Sequence, residues 1–386
     1  MRKKSSTWSS KQQGGGSNSE GIQVHRGCSQ QPVRSGSAVR QCGQAVLVSA
    51  VQGRQQGRHW PLSLPAAPRP RATTSHGMSR HLGALLLRLE QSHGSIASLV
   101  GPASVGRVLT VDNLSTAALE DLFHHRVCAV RVPGFVPPEQ AEALAEHLAG
   151  MDKVNWQVSS AEGLEETDVE SIGMPYNMVV SDGPDGAGGG GGEAARDAYF
   201  ADARALSSRF RSPVAPAMLT PIDKLRLELD DVWPDGANVA KDKRGRSHLA
   251  GAGRVMRPGG RWRDGFLHVD ELDVLSEARG LFSANVYLRM PPTGGALHIW
   301  NVNVRTRWDY YRNAHTLSRL LVQDDAGQAH LRASFPAPLV LAPDPGDLIL
   351  ICAQRPHAAC GFDEGMRVSM QTFVTHKKGD PLRVDA

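Results

Sequence analysis

The stretch FLHVDELD sets His268 and Asp270 two residues apart. In an extended segment, residues at that spacing project from the same face of the chain, so an imidazole and a carboxylate there can bind one ion. Iron(II) with open coordination positions takes two imidazoles and one carboxylate on one face of an octahedron. Alone the pair is a weak signal, because a chain with 15 histidines and 24 aspartates yields a His-x-Asp by chance. The order of the residues downstream carries the weight.

After His-Val-Asp come Pro291-Pro292-Thr293-Gly294-Gly295, a turn, and Ala296–Trp300, a strand. Next stand Pro345-Gly346-Asp347 and an apolar strand ending in Arg355-Pro356-His357. Arg367 follows ten residues beyond His357, and Ser369 two further on. Over about residues 125–376 this succession resembles the 2-oxoglutarate/iron(II) oxygenase superfamily, the prolyl-4-hydroxylase-like branch and its bacterial small-molecule hydroxylase and halogenase relatives in particular. The resemblance implies an α+β fold built on a double-stranded β-helix, a jelly-roll or cupin-like barrel. It makes His268, Asp270 and His357 the metal ligands, and Arg367 the anchor for the distal carboxylate of 2-oxoglutarate. A guanidinium suits that task because its planar fork matches a carboxylate, where a lysine offers only a point charge. Ser369 lies along the same strand face and can donate a second hydrogen bond, while Asn285 and Tyr287 are further candidates for the pocket. In hydroxylases of this type the glycine pair usually precedes an acidic or polar residue. Here Ala296 follows it, which weakens any analogy at the level of substrate.

The implied cofactors are Fe(II), 2-oxoglutarate as cosubstrate and O2, with ascorbate by family habit. The implied activity is hydroxylation of an unactivated C–H bond with release of succinate and CO2. Related halogenases lack the carboxylate that Asp270 supplies, so its presence favours hydroxylation, with desaturation or ring closure open. The substrate is a small molecule or a peptide. Two rivals stand beside this reading: a peptidyl-proline hydroxylase acting on a protein, and a non-catalytic cupin-like metal-binding domain.

Each residue also has a plainer role. His298, His315, His330 and His376 lack an arginine at the downstream spacing and read as ordinary polar residues. Arg367 could instead form a surface ion pair with Asp363 or Glu364. Trp300, Trp308, Tyr310, Tyr311 and Phe266 could line a substrate pocket or simply pack. Cys128 and Cys352 lie in apolar runs and read as small buried hydrophobes.

The elements that must position these groups are legible in outline. Amphipathic or capped helices are expected at His81–Leu89, Ser115–His125, about Glu139–Ala149 and after Thr220-Pro221-Ile222-Asp223, where a cap, a first-turn proline and an early acid coincide. A strand is expected at Val127–Val132. From Ser247 onward short β runs alternate with Pro, Gly and Asp. In Phe282–Met290 the alternation puts Phe282, Ala284, Val286 and Leu288 on one face, and Ser283, Asn285, Tyr287 and Arg289 on the other. Asp347–His357 and Met366–Val374 read as further strands, the second bringing Arg367, Ser369 and Gln371 together. The expected organisation is therefore helical support over about 79–245 and a barrel core over about 247–376, with residues 115–235 mostly helical.

Residues 1–78 form a separate basic leader, read as disordered. Residues 1–80 hold twelve Lys or Arg against the single acid Glu20, leaving 31 basic and 38 acidic residues beyond. A transit peptide, a low-complexity tail and a start at Met78 all fit it. A transit peptide would direct the chain to chloroplast or mitochondrion, and without one the expected compartment is the cytoplasm. The acidic body argues against nucleic acid as a partner, and no apolar stretch reaches the roughly 20 residues of a membrane span. The glycine run Gly186–Gly192 has no following Gly-Lys-Ser/Thr, so it reads as a surface insertion and not a phosphate loop. Oligomeric state is not legible.

Overall fold

The computed structural model describes residues 75–159, 164–176, 193–212 and 219–386. The leader up to residue 74 and the glycine run lie outside them. In chain order the elements begin with α1 (Ser75–His93), β1 (Val108–Thr110), α2 (Thr116–Phe123), β2 (Ala129–Val132) and α3 (Pro138–Ala149). A hairpin of β3 (Val154–Ser159) and β4 (Leu164–Ile172) precedes α4 (Glu193–Arg211) and α5 (Pro221–Val232). Then come β5 (Ala237–Val239), β6 (Ala252–Met256), β7 (Arg279–Arg289) and β8 (Leu297–Ile299). The short helices α6 (Arg307–Arg312), α7 (Ala314–Leu317) and α8 (Asp325–Ser334) lead to β9 (Leu339–Leu341), β10 (Leu348–Cys352), β11 (His357–Ala359), β12 (Arg367–Lys377) and β13 (Leu382–Asp385).

Two sheets result. The larger runs β1-β2-β10-β7-β12-β6-β4-β3, with β13 joining β12 and β5 joining β13; the smaller is β11-β8-β9. They face each other, since Tyr287 of β7 and Ile349 and Ile351 of β10 share one buried cluster with Leu297 and Ile299 of β8 and Leu341 of β9. A closed barrel is not formed among the described residues.

The two faces of β7 explain the layering. Phe282, Ala284, Val286 and Leu288 are all 0% exposed and pack with Leu119, Leu122 and Phe123 of α2, Leu144 and Leu148 of α3, and Leu225 and Leu229 of α5. A strand with one wholly apolar face must cover it, and helices with apolar positions three and four apart do so. The helix after residue 220 starts where its cap dictates: the Thr220 hydroxyl accepts from the Asp223 N–H at 3.1 Å, and Pro221 occupies the first turn. The opposite face of β7 and β12 carries polar groups inward. Antiparallel register sets Tyr287 beside Ser369 and Asn285 beside Gln371, with Arg254 of β6 across from Ser369 on the other side.

Several expectations need correction. Residues 115–235 are helical over α2 to α5, as expected, but they also hold the β3–β4 hairpin, which extends the large sheet through β6. Helices α6 to α8 interrupt the run of strands after Ser247. The strand expected to span Asp347–His357 stops at Cys352; a turn follows, and His357 opens β11 in the other sheet. Asp347 is the anchor of the Pro345-Gly346-Asp347 turn: only 2% exposed, it accepts from Arg131 Nε at 2.7 Å, from the Gly134 N–H at 3.1 Å and from the Asp344 N–H at 3.0 Å. Gly346 is required beside it, since its φ is +96° and an added Cβ would lie 2.3 Å from the Val136 carbonyl oxygen. Cys128 and Cys352 are buried as expected. No helix of the described residues is long and apolar enough to cross a membrane.

His376 is a core residue rather than an ordinary polar one. It is 3% exposed, stacked on Phe123 at 4.7 Å and edge-on to Trp233 at 5.4 Å. Burial, reinforced by the nearby His124, lowers its pKa from 6.5 to about 4. Because the folded value lies below the unfolded one, the unfolded chain takes up the proton first, and stability is lost as the pH falls from about 6.5 towards 4. His376→Phe keeps the ring packing and should flatten the fall of the urea midpoint across that window, relative to the parent chain.

Candidate metal centre and cosubstrate pocket

His268 and His357 meet through the backbone before their rings do. They form an isolated antiparallel bridge, with the His268 N–H donating to the His357 carbonyl at 3.0 Å and the His357 N–H to the His268 carbonyl at 2.9 Å. Two residues on, the Asp270 N–H donates to the Ala353 carbonyl at 3.0 Å. This pairing carries the His-x-Asp segment along the turn that follows β10, and so brings residues almost ninety positions apart to one point.

The rings are then aimed by the same device twice. His268 Nδ1 lies 2.8 Å from the Phe266 carbonyl oxygen, and His357 Nδ1 lies 2.8 Å from the Arg355 carbonyl oxygen. In each case the only proton that can bridge to a carbonyl sits on Nδ1, which leaves the Nε2 lone pair free to bind a metal. Both Nε2 atoms turn towards one carboxylate: His268 Nε2 is 3.6 Å from Asp270 Oδ1, and His357 Nε2 is 3.3 Å from Asp270 Oδ2. One donor atom from each of the three residues lies within 4.8 Å of the others. Asp270 Oδ2 is buried and makes no hydrogen bond. A buried anionic oxygen without a hydrogen bond, facing two imidazole lone pairs, fits a cation between the three groups. Phe266 stacks on the His268 ring at 5.2 Å and 8°, so it buttresses a ligand.

Charge follows the same logic. Burial would push the Asp270 carboxyl up, yet the neighbouring His357 and His268 hold it well below the usual carboxylate range. Burial would lower His357, but Asp270 beside it raises its pKa above 6.5.

The cosubstrate candidates lie on the inward face of the large sheet. Arg367 is 8% exposed, Ser369 and Tyr287 3% each. Burial lowers the Arg367 pKa against the opposing influence of Tyr287 and Cys360. Its Nη1 donates to the Gly295 carbonyl at 3.3 Å, and its guanidinium lies 6.0 Å from the Tyr287 ring centre. The alternative surface ion pair does not form: Asp363 binds Arg263 at 2.7 Å, and Arg367 faces inward. Asn285 donates to Ser283 Oγ at 3.0 Å, as Gln371 does at 2.9 Å.

Of the aromatic candidates, Trp300 is buried in a second core cluster with Tyr310 packed on it, whereas Trp308 and Tyr311 are about half exposed. They pack or face solvent. A cavity of about 350 Å³ instead opens beside the glycine turn, bounded by Thr293, Ala296, His298, Cys360 and Phe362 among others, and the three metal-facing residues are not in its wall.

His315 and His330 belong to a different cluster. Together with Glu90 of α1 they bring donor atoms within 4.8 Å, but Thr316 already ties the group together. Its hydroxyl lies 2.7 Å from Glu90 Oε1 and 2.8 Å from His330 Nε2, and its N–H donates to Glu90 Oε2 at 3.0 Å. Arg319 adds a guanidinium 3.2 Å from His315 Nε2. This is a hydrogen-bonded clasp of α1 onto α7 and α8.

Sequence reasoning missed Arg254. It is 8% exposed, donates to Gln371 Oε1 at 2.9 Å, and has a pKa lowered to about 10 by burial, partly offset by Asp270. The available signal was an arginine inside AGRVM, a strand all five of whose residues are buried.

No protein-family model matches the sequence, and comparison with curated proteins finds no match. Solved structures similar to this chain include an N-substituted L-amino acid dioxygenase from Burkholderia ambifaria AMMD, at 15% identity and a TM-score of 0.44 over 70% of this chain and 91% of that one. HygX from Streptomyces hygroscopicus, with nickel and 2-oxoglutarate bound, is similar at 14% identity and 0.34 over 69% and 89%. A Pseudomonas putida prolyl-4-hydroxylase is similar at 14% and 0.28 over 65% and 92%. At this distance the chemistry of this chain has to be read from its own side chains.

A metal entering between the three residues must displace the proton that Asp270 helps His357 to keep. Divalent cobalt or manganese uptake by the full chain should therefore be accompanied by proton release that grows as the pH falls, and its affinity should fall in the same direction. Calorimetric titration in buffers of different ionisation enthalpy reads that proton directly.

Proposed function

We propose that the chain is an iron(II)- and 2-oxoglutarate-dependent oxygenase that hydroxylates an unactivated C–H bond of a small molecule or peptide. The observation that carries this reading is the convergence of His268, Asp270 and His357, with both ring tautomers fixed by backbone carbonyls and both Nε2 atoms turned to one buried carboxylate. In this reading residues 79–386 form the catalytic unit, and the two facing sheets are the double-stranded β-helix.

Bound iron(II) with 2-oxoglutarate supplies the oxidising chemistry: one atom of O2 goes into the C–H bond and the other into succinate as CO2 leaves. The chain's own residues hold and shield. His268, Asp270 and His357 would hold the metal, and it would supply the Lewis acidity and redox chemistry there. Arg367 receives the distal carboxylate, with Ser369 as a second donor two residues along the same strand face. Tyr287 and Asn285 border that pocket, and the apolar cluster joining the two sheets excludes water from it. A scaffold that only held a metal would have no use for a guanidinium buried at 8% exposure, because an enclosed cation is costly without an anion.

Arg367→Ala should leave manganese affinity unchanged and weaken 2-oxoglutarate binding to the manganese-loaded chain by about 30-fold, the loss of a charge-assisted pair worth roughly 2 kcal/mol. Isothermal titration checks both. Equal 2-oxoglutarate affinity in variant and parent would remove Arg367 from the site. Succinate release from 2-oxoglutarate in air, without added substrate, should accompany binding in the parent and be lost in His268→Ala.

A further inference from the structure

Arg355 is the largest fully buried side chain among the described residues, at 0% exposure. Its Nη1 donates to Asn303 Oδ1 at 2.5 Å and to Asn301 Oδ1 at 3.2 Å. Its Nε and Nη2 make no hydrogen bond. Three of the five N–H bonds of a guanidinium that cannot lose its charge are therefore unused. Both acceptors are neutral amides, and among the described residues no carboxylate pairs with this cation. Leaving a buried charge uncompensated costs several kcal/mol, so something at this position must answer it.

The surroundings are built for the same purpose. Gly101 lets the chain pass close to the two asparagines, since a Cβ there would lie 2.1 Å from Asn303 Nδ2 and 2.5 Å from Asn301 Oδ1. Asn303 Nδ2 donates to Asn301 Oδ1, and Asn301 Nδ2 to the Pro102 carbonyl, which turns both amide oxygens to Arg355. His125 is close enough for the Arg355 charge, second to burial, to depress its pKa to about 3. It is 1% exposed, and the Ser276 backbone is the polar group that faces its ring. The φ of +57° at His125 is the left-handed turn that closes α2, where the Arg126 N–H donates back to the Asp121 carbonyl at 2.8 Å, and this turn sets where the His125 ring stands. The thiols of Cys128 and Cys352, both buried, sense the same cation.

We propose that Arg355 holds a small inorganic anion, chloride in the cell, against its Nε and Nη2, with His125 beside it. A monatomic halide suits a position that is 0% exposed and where three Arg355 N–H groups are free to donate. The site is separate from the metal centre but mechanically joined to it, because the Arg355 carbonyl is the acceptor that fixes the His357 ring.

Crystals of the full chain grown in bromide test this directly. The expected result is an anomalous bromine peak in contact with Arg355 Nε and Nη2, together with a melting temperature in chloride or bromide about 4 °C above that in gluconate at equal ionic strength. Arg355→Gln should lose the halide effect. If that variant does not fold, the bromine peak in the parent still decides. No peak at Arg355, with ordinary water density in its place, would overturn the proposal, as would a halide effect that survives in Arg355→Gln.

Discussion

The two-residue bridge between His268 and His357 is the constraint on which the rest of the centre depends. It is made of backbone hydrogen bonds alone, so it fixes where the two imidazoles start regardless of what they bind. The carbonyls of Phe266 and Arg355 then fix which nitrogen each ring presents. Asp270 completes the set because it follows His268 by two residues in an extended chain. A site assembled this way is pre-organised by secondary structure, and a ligand entering it need not order the protein.

Everything outside the bridge serves to keep it dry and oriented. The large sheet divides polar from apolar at the level of alternate residues. Its outer face is sealed by α2, α3 and α5, and its inner face carries Arg254, Tyr287, Ser369, Gln371 and Arg367. The small sheet supplies His357 and closes the opposite side. Two buried guanidiniums face inward from this sheet, and with a divalent ion bound at the proposed centre they would favour anionic ligands, the charge pattern a dicarboxylic keto acid would satisfy. The α1 clasp through Glu90, Thr316 and His330 holds the helices that cover the small sheet's side.

Much of this was legible because it is local. Period-two alternation in Phe282–Leu288 gave the correct inward and outward faces of β7, while Arg289 departs from it to pair with Glu142 of α3, and the proline after Thr220 marked the start of α5. The His-x-Asp spacing and the strand-end histidine named three residues, His268, Asp270 and His357, that the structure does gather. What failed was non-local. The β3–β4 hairpin contains LEETDVES, whose acidic residues carry no strand signature, and it is a strand only because β6 offers an edge to pair with. The break between Cys352 and His357 falls at Gln354-Arg355-Pro356, where polar residues and a proline end the apolar run, but the change of sheet that follows is set by pairing with β8 and not by local sequence. Arg254 and Arg355 escaped notice because an arginine in an apolar strand or turn reads as surface until its burial is seen.

The central claim is that His268, Asp270 and His357 hold iron(II) in a form that chelates 2-oxoglutarate. Anaerobic titration of the full chain with iron(II) and 2-oxoglutarate tests it most directly, by the weak visible charge-transfer band of the chelated keto acid. The account predicts the band in the parent chain and none in His357→Ala. Iron binding without any band in the parent would contradict it and leave the chain a metal-binding barrel of the cupin-like kind.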